Sequence, residues 1–518
     1  MSEFNNKSRM NNALKTSIIG GITNIIKIIL GFGYRTIFLF ILSEVYLGIN
    51  GLFTNILQIL SLTELGVTTA IVYRFYDPIG RGDKQYVGML MNFFKRVYLT
   101  IAGVILCLGV AIMPFMKFLI NDVNEIPADV NLYIVYLLFL ANTLSSYIFS
   151  YKITLLSADQ KNYVAAIIDL ITTIVRYGLQ IVVLVVSHNF IMTLAIGVFA
   201  TLFVNFVCSI WVTKQYRFVF EVKEMLPKEE QKKIFYDTRA CLYHKIGYTV
   251  LTGTDNAILS KMVSLAATGL YSNYSMIITY IQNFLTQVLG NFTSSVGNAL
   301  QRMDKEDYYK LFKKMNFLGL WVASVITICV YVSIDDFISL WIGEKYVLGG
   351  MTTAVLCIQM YVTISRIVHG AFVNADGLFV KDKIRPLIEA VLNIIISIIL
   401  TYKLGIAGVF LGTIVSTLLT AWWREPLILY RYSFKENIFD YWKIYSLYST
   451  ITFLSCWAFG RIKQMIFVFN NNFFFLIVEC FSAFVIINMI LYLIFRKSEE
   501  YQYMEKLAAK FILKNKER

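Results

Sequence analysis

KTSIIGGITNIIKIILGFGYRTIFLFIL, residues 15–42, is the stretch that decides the fold. As a helix it is long enough to cross a bilayer, which takes about 20 mostly apolar residues. Yet Lys27 and Arg35 stand near its middle, and no acid follows until Glu44. A charge at bilayer depth costs about 2.5–3.5 kcal/mol even on the lenient insertion scale. Such residues must face a polar cavity or a partner. Arg176 and Arg366 repeat the pattern in later apolar runs. Buried cations of this kind point most simply to a membrane protein that handles an anion.

The rest of the chain reads the same way. Mean hydropathy is +0.63, 57% of the residues are hydrophobic and only 15% are charged. Fourteen stretches qualify as spans: 15–42, 48–74, 97–119, 131–155, 163–186, 190–213, 240–263, 267–299, 315–341, 351–375, 385–402, 405–430, 440–460 and 472–495. The expected fold class is all-α: a polytopic membrane protein of about 14 transmembrane helices. The net charge of +14 follows from topology and implies no nucleic acid. With the N-terminus inside, inner loops and tails hold 36 of the 47 Lys and Arg and outer loops hold five. Because basic residues stay on the cytoplasmic side, both termini are expected there. The first apolar run follows a polar segment and is long enough to span, so no cleavable signal peptide is expected. The seven scattered cysteines, with no Cys-x-x-Cys, read as small apolar residues.

An internal repeat organises the spans. A shift of 221 residues lays 36–84 on 257–305, so that Ser43, Gly48, Arg81, Asp83 and Lys84 meet Ser264, Gly269, Arg302, Asp304 and Lys305. A second echo joins SADQKNYVAAIIDL (157–170) to NADGLFVKDKIRPLIEA (374–390), with a shift of 217 at Asp159 and Asp376. This gives a six-helix bundle over 1–215, a linker over 216–236, a second bundle over 237–430, and two additional spans with a tail over 431–518. Six spans is an even number, so the repeats run parallel, about an axis along the membrane normal. The linker, with LPKEEQKKIF, reads as a solvated connector. Segments 84–96, 304–314 and 498–513 alternate basic and apolar residues and are expected along the inner surface.

Polar residues line single faces of several spans at helical spacing. The stripes are Asn24, Lys27, Gly31 and Arg35; Asn50, Thr54, Ser61, Glu64 and Thr68; Asp169, Thr173, Arg176 and Gln180; Lys245, Tyr248, Thr252 and Asp255; Asn273, Tyr280, Gln287 and Asn291; and Gln359, Thr363, Arg366 and Gly370. For neutral residues, interhelical hydrogen bonding is the simpler account. Lys27, Arg35, Arg176 and Arg366 are expected to line a cavity. Lys245 and Lys261 are further cationic candidates, each near enough to a helix end to snorkel. Glu64, Asp169, Asp255 and Glu389 are either proton or sodium sites or counter-charges. Lys27 and Glu64 lie at similar depths, so an ion pair between them is one arrangement the sequence allows.

No catalytic residue, metal site or cofactor is expected. The three histidines are far apart, His-Glu-x-x-His and the Gly-x-x-x-x-Gly-Lys-Ser/Thr phosphate loop are both absent, and no segment is large enough for a soluble catalytic domain. Asp335 and Asp336, on an expected outer loop, read as a solvated acid pair.

The segment YLGINGLFTNILQILSLTELGVTTAIVYRFYDPIGRGD (46–83), the paired six-span halves and the buried cations together resemble the polysaccharide flippases. These are the Wzx-type O-antigen and capsule repeat-unit exporters of the multidrug/oligosaccharidyl-lipid/polysaccharide transporter superfamily. The resemblance implies a non-enzymatic flippase in the bacterial cytoplasmic membrane. Its substrate would be an undecaprenyl-pyrophosphate-linked oligosaccharide, a repeat unit for surface polysaccharide such as lipopolysaccharide, and its mechanism alternating access. A proton, sodium ion or the membrane potential would bias the cycle, and other polysaccharide-assembly proteins would be partners. By position, the family's cavity cations fall on Lys27 and Arg35, faced by Arg176 and Arg366. The drug-exporting branch typically carries an acid in its first span, which this chain lacks. The lipid II flippase branch shares cations and span number. A membrane glycosyltransferase or polymerase is the alternative of a different class, disfavoured by short outer loops.

Overall fold

The structure, a computed structural model, describes residues 2–61, 74–75, 78–79, 81–159, 161–290, 303–466 and 472–506. The chain is an all-α polytopic membrane protein, with no strand among the described residues. Its helices are α1 (Ser2–Ile41), α2 (Glu44–Leu60), α3 (Lys84–Ile112), α4 (Leu132–Ala158), α5 (Asn162–Ser187), α6 (Phe190–Gln215), α7 (Lys228–Gly253), α8 (Asp255–Met262), α9 (Leu265–Gly290), α10 (Lys305–Ile342), α11 (Gly350–Ser365), α12 (Ile367–Ala375), α13 (Arg385–Leu404), α14 (Ile406–Leu419), α15 (Ala421–Ile428), α16 (Phe439–Ile466) and α17 (Phe473–Phe495). Ten helical segments among the described residues are long and apolar enough to cross a membrane. The other four expected spans are helical as well, formed by α2, by α7 with α8, by α9 and by α16. Parts of two of them, 62–73 and 291–299, lie outside the described residues.

The chain divides into two compact units, Met1–Gly269 and Leu270–Arg518. In the first, α1 packs on α5, α4 and α5 pack on α6, and α2 is flanked by α7 and α8. In the second, α10 is the central post. It packs on α11, α16 and α17, so the two additional C-terminal spans wrap this helix. Its buried face carries Phe312 and Phe317. Phe312 meets Phe372, Tyr430 and Phe434 at ring separations of 4.8–6.0 Å, and Phe317 meets Tyr448 and Phe495. Lipid is as apolar as these side chains, so close packing rather than exclusion of water holds such helices together.

Small residues set the closest approaches. A Cβ on Gly48 would fall 1.9 Å from the Leu265 carbonyl oxygen, and a Cβ on Gly269 would fall 1.9 Å from that of Glu44. These four residues are related by the 221-residue shift, since Glu44 maps onto Leu265 and Gly48 onto Gly269. The contact is reciprocal, as a pseudo-twofold crossing requires. The second echo is structural too. Asp159 accepts a hydrogen bond from Tyr216 at 2.7 Å, and Asp376 accepts one from Ser433, the residue 217 places on. The α13–α14 hairpin closes in the same manner. It turns at Gly405, whose φ of +56° suits glycine, and Gly412 lies where a Cβ would meet Ser397 at 2.2 Å. Asn393 donates to Thr413 across the gap at 2.8 Å.

Three expectations are corrected. Segments 84–96 and 304–314 do not lie apart along a surface, because they are the first turns of α3 and α10, which continue unbroken into spans. At 1.5 Å per residue, the 38 residues of α10 run about 57 Å, well beyond a hydrocarbon core of about 30 Å. The linker is not a solvated connector. Val222 fills the space left by Gly88 on α3, Asn92 donates to the Val222 and Glu224 carbonyls at 2.7 and 3.0 Å, and Tyr86 donates to Glu230. The span expected over 405–430 ends later than its apolar run, at Phe434.

Gly48→Ala and Gly269→Ala each drive a methyl group into a backbone carbonyl that no rotamer change can move. Each is expected to cost at least the ~1–3 kcal/mol of ordinary overpacking. The check is a lowered thermal midpoint of the purified protein, with Gly21→Ala, which meets open space, as the control.

Candidate anion-binding sites

The first unit places its cations on the facing sides of α1 and α5. Lys27 forms an ion pair with Asp169. Its partner is thus a coupling candidate on the neighbouring helix, while Glu64 lies outside the described residues. The pair is open, with side-chain exposures of 25% for Lys27 and 64% for Asp169. Two turns further along α5, the Arg176 guanidinium lies 4.9 Å from the Tyr177 ring. Tyr177 is stacked on Tyr34 of α1, with centroids 4.7 Å apart and planes 8° from parallel. Arg35 follows Tyr34 on α1, and both arginines act electrostatically on the Tyr34 hydroxyl. Arg176 Nε is buried and has no hydrogen-bond partner among the described residues. A guanidinium with a buried, unused donor has the chemistry to hold an anion, since guanidinium forks match phosphate oxygens.

The remaining polar residues of that α5 stripe do structural work. Thr173 bonds back to the Asp169 carbonyl at 2.8 Å. Gln180 donates to the Thr193 carbonyl of α6 at 3.2 Å and fits against Gly197. Lys261, at the end of α8, reaches the Ile120 carbonyl at 3.5 Å and lies 4.6 Å from the Phe118 ring. The Lys245 side chain lies outside the described residues. Asp255 is buried at the junction of α7 and α8, with Oδ1 lacking a hydrogen-bond partner among the described residues. A pocket of about 320 Å³ at the start of α3 is lined by Asp83, Lys84, Asp159, Lys161, Gln215 and Tyr216. Burial and the hydrogen bond to Asp159 push the Tyr216 hydroxyl up to about 12.

In the second unit the cations are closed off by acids. Arg366 stands at the break between α11 and α12 and forms a bidentate pair with Glu425, Nε to Oε2 at 3.0 Å and Nη2 to Oε1 at 2.6 Å. Arg385 is the hub. Its Nη2 lies 3.1 Å from Glu425 Oε1, its Nε donates to Asp382 at 2.5 Å and its Nη1 to Glu389 at 2.6 Å. Arg424 donates to the second Asp382 oxygen at 2.8 Å, and Thr417 donates to Glu389 at 2.8 Å. Three arginines thus meet three carboxylates. Glu389, a coupling candidate, is a fully bonded member of this network. His369 is buried one turn from Arg366, with neither ring nitrogen hydrogen-bonded and with the rings of Phe312 and Tyr441 at 5.5 and 5.0 Å. Asp335 accepts from Tyr274 and Thr353 at 2.5 and 2.7 Å, and Asp336 pairs with Lys463 at 2.7 Å. They are not a solvated pair. No group of residues able to hold a metal occurs among the described residues.

The sequence reading names Arg366 from its stripe and Glu389 as a coupling candidate but misses Glu425, Asp382, Arg385 and Arg424. Helical spacing carries part of the signal, since Asp382, Arg385 and Glu389 are three and four residues apart. Glu425 lies inside the expected span 405–430 but belongs to no polar stripe.

No family model and no curated sequence matches the chain. Solved structures do match in fold. One is the lipid II flippase MurJ in an inward closed conformation, with a TM-score of 0.63, 15% identity, and coverage of 92% of this chain and 99% of that one. Another is a point mutant of the Vibrio cholerae MATE transporter VcmN, with a TM-score of 0.57, 14% identity, and coverage of 84% and 100%. A third is a multidrug resistance MATE family transporter of the MOP superfamily in an inward-facing conformation, with a TM-score of 0.58, 13% identity, and coverage of 76% and 91%. At such identities the likeness is one of fold.

Removing the hub cation takes a partner from three carboxylates and leaves Glu389 with no cation in a dry environment, and breaking a buried pair costs about 3–5 kcal/mol. Arg385→Gln is therefore expected to lower the thermal midpoint sharply or prevent accumulation in the membrane. The less enclosed Arg424→Gln, 42% exposed, is expected to shift the midpoint far less.

Proposed function

We propose that the protein is a flippase for an anionic lipid-linked oligosaccharide, with an undecaprenyl-pyrophosphate-linked repeat unit for surface polysaccharide as substrate. The observation that carries this reading is Arg176, a guanidinium at membrane depth with a buried, unused donor, on the helix that packs against the one that carries Arg35. A diphosphate head supplies what such a group lacks. Lys27, Arg366, Lys245 and Lys261 complete the proposed cationic set. The sugars would occupy polar surface and the polyprenyl tail would stay in lipid. Alternating access between bundles 1–215 and 237–430 would move the head across the cytoplasmic membrane, with both termini inside. The chain would bind and move its substrate without covalent chemistry. The buried acid Asp255 is the proposed coupling site for a proton or sodium ion, with Glu64 and Asp169 as further candidates. Lipid II is the second reading, favoured by the fold likeness to MurJ along 92% of the chain. A multidrug antiporter fits less well, since the first span offers cations and no acid.

Proteoliposomes holding fluorescent undecaprenyl-pyrophosphate oligosaccharide or lipid II separate the two anionic readings by which lipid is flipped. Arg176→Ala is expected to cut flipping of the true substrate at least about tenfold at normal protein levels. Arg176→Lys should keep part of the rate, because an ammonium retains the charge and loses the fork. Wild-type flipping rates in Arg176→Ala would refute the reading.

Orientation has its own test. In intact cells, an impermeant thiol reagent is expected to label single cysteines placed at Asp122 or Lys345 and to spare one at Lys228. Labelling at Lys228 would reverse the topology.

A further inference from the structure

Arg366 already holds an anion in its fork, and that anion belongs to the protein. Glu425 fills the fork in the bidentate geometry a phosphate would use. A second feature sets this pair apart from a fixed ion pair. Glu425 Oε1 is shared, at 2.6 Å from Arg366 Nη2 and 3.1 Å from Arg385 Nη2. If the carboxylate shifts toward Arg385, it leaves both Arg366 nitrogens while Oε1 keeps its contact with Arg385 Nη2. No buried charge is then left alone, which is the condition that makes breaking most buried pairs so costly.

There is also room for a replacement. Arg366 caps α11 at a break in the helix. Thr363, on the same face one turn earlier, is exposed. Gly370, one turn later, has nothing within 4 Å of where a Cβ would stand. The Arg366 side chain is 23% exposed and that of its partner Glu425 11%. The three network acids and three arginines are neutral as a set, and an arriving dianion would give the set a net negative charge unless a counter-cation accompanies it.

We propose that Glu425 is an internal stand-in for the substrate anion. It occupies the Arg366 fork at rest, a diphosphate group displaces it, and Arg385 receives the displaced carboxylate. This rests on the flippase reading and adds the identity of the competitor. Carboxylate and diphosphate compete for one fork, so the resting protein binds its anion more weakly than the bare fork would. That protects the substrate's release after transport.

The test is calorimetric titration of the full chain in lipid nanodiscs with inorganic pyrophosphate and, separately, with farnesyl diphosphate. Glu425→Gln removes the competing charge, and Glu425→Asp keeps the charge but shortens its reach. Both are expected to bind pyrophosphate more tightly than the wild type, Glu425→Gln by about tenfold, the scale of a close charge-pair coupling. The gain should vanish in the double variant Arg366→Ala/Glu425→Gln. Tighter binding of farnesyl diphosphate than of pyrophosphate assigns the site to a lipid carrier, and equal affinities assign it to a free phosphate, with the exchange upheld in either case. Unchanged or weaker binding in both single variants overturns the exchange, as does failure of both to accumulate, which would make Glu425 a structural lock. The flippase reading is judged separately by Arg176→Ala, which should weaken wild-type binding whatever Glu425 does.

Discussion

A guanidinium in a medium of low dielectric must be satisfied, and the architecture of the second unit follows from how it satisfies three of them. Arg385 gathers carboxylates from the turn before α13, from α13 itself and from α15. For those groups to meet, α13 and α14 must lie close together, and Gly408 and Gly412 permit it by leaving no Cβ between the backbones. The sharp turn at Gly405 and the ladder of Asn393, Ser397 and Thr413 hold the register. Thr417 then arrives opposite Glu389 at the other end of the same hairpin. Charge satisfaction and small-residue packing are thus one constraint seen at two places along a helix pair.

The repeat shows which features are architectural. Reciprocal contacts at Gly48 and Gly269, and matching hydrogen bonds at Asp159 and Asp376, recur at their shifted positions. Both hairpins, α5–α6 and α13–α14, seat a glycine against a polar side chain, Gly197 on Gln180 and Gly412 on Ser397. The ion chemistry does not recur. Arg176 has no counterpart of Glu425 among its described hydrogen-bond partners. A feature kept in both repeats serves the fold, whereas one present in a single repeat is free to serve a ligand.

Hydropathy and charge made the helical fold legible, because a spanning helix needs a long apolar run whatever its neighbours are. The repeat was legible at glycines and at acid caps, where backbone geometry dictates the residue. Cations were legible as anomalies, and the partners of those cations were not. Depth matches Lys27 with Glu64, which lies outside the described residues, but depth ignores azimuth and gives no sign of Asp169, which α5 brings to Lys27. Glu425 escapes because it belongs to no polar stripe at helical spacing. The π-helical turn over Leu429–Phe434 extends its span, and apolarity alone does not announce it. The docked linker was hidden for a similar reason. Its polar composition is that of a solvated loop, while its contacts depend on Gly88 and Asn92, with the Asn92 partner Val222 130 residues away.

The two units therefore treat the same residue type in opposite ways. In the first, Arg176 keeps a buried donor unspent, and the stacked tyrosines beside it give the guanidinium a flat surface without neutralising it. In the second, every arginine of the network is matched by a carboxylate, and the carboxylate that matches Arg366 is shared with Arg385. On the proposed reading, an anion arriving at Arg176 would gain a partner without displacing one, and at Arg366 it would exchange with a resident. A site that binds by filling a vacancy captures its ligand, while a site that binds by exchange can also let it go. A protein that moves an anion from one face of a membrane to the other needs both properties.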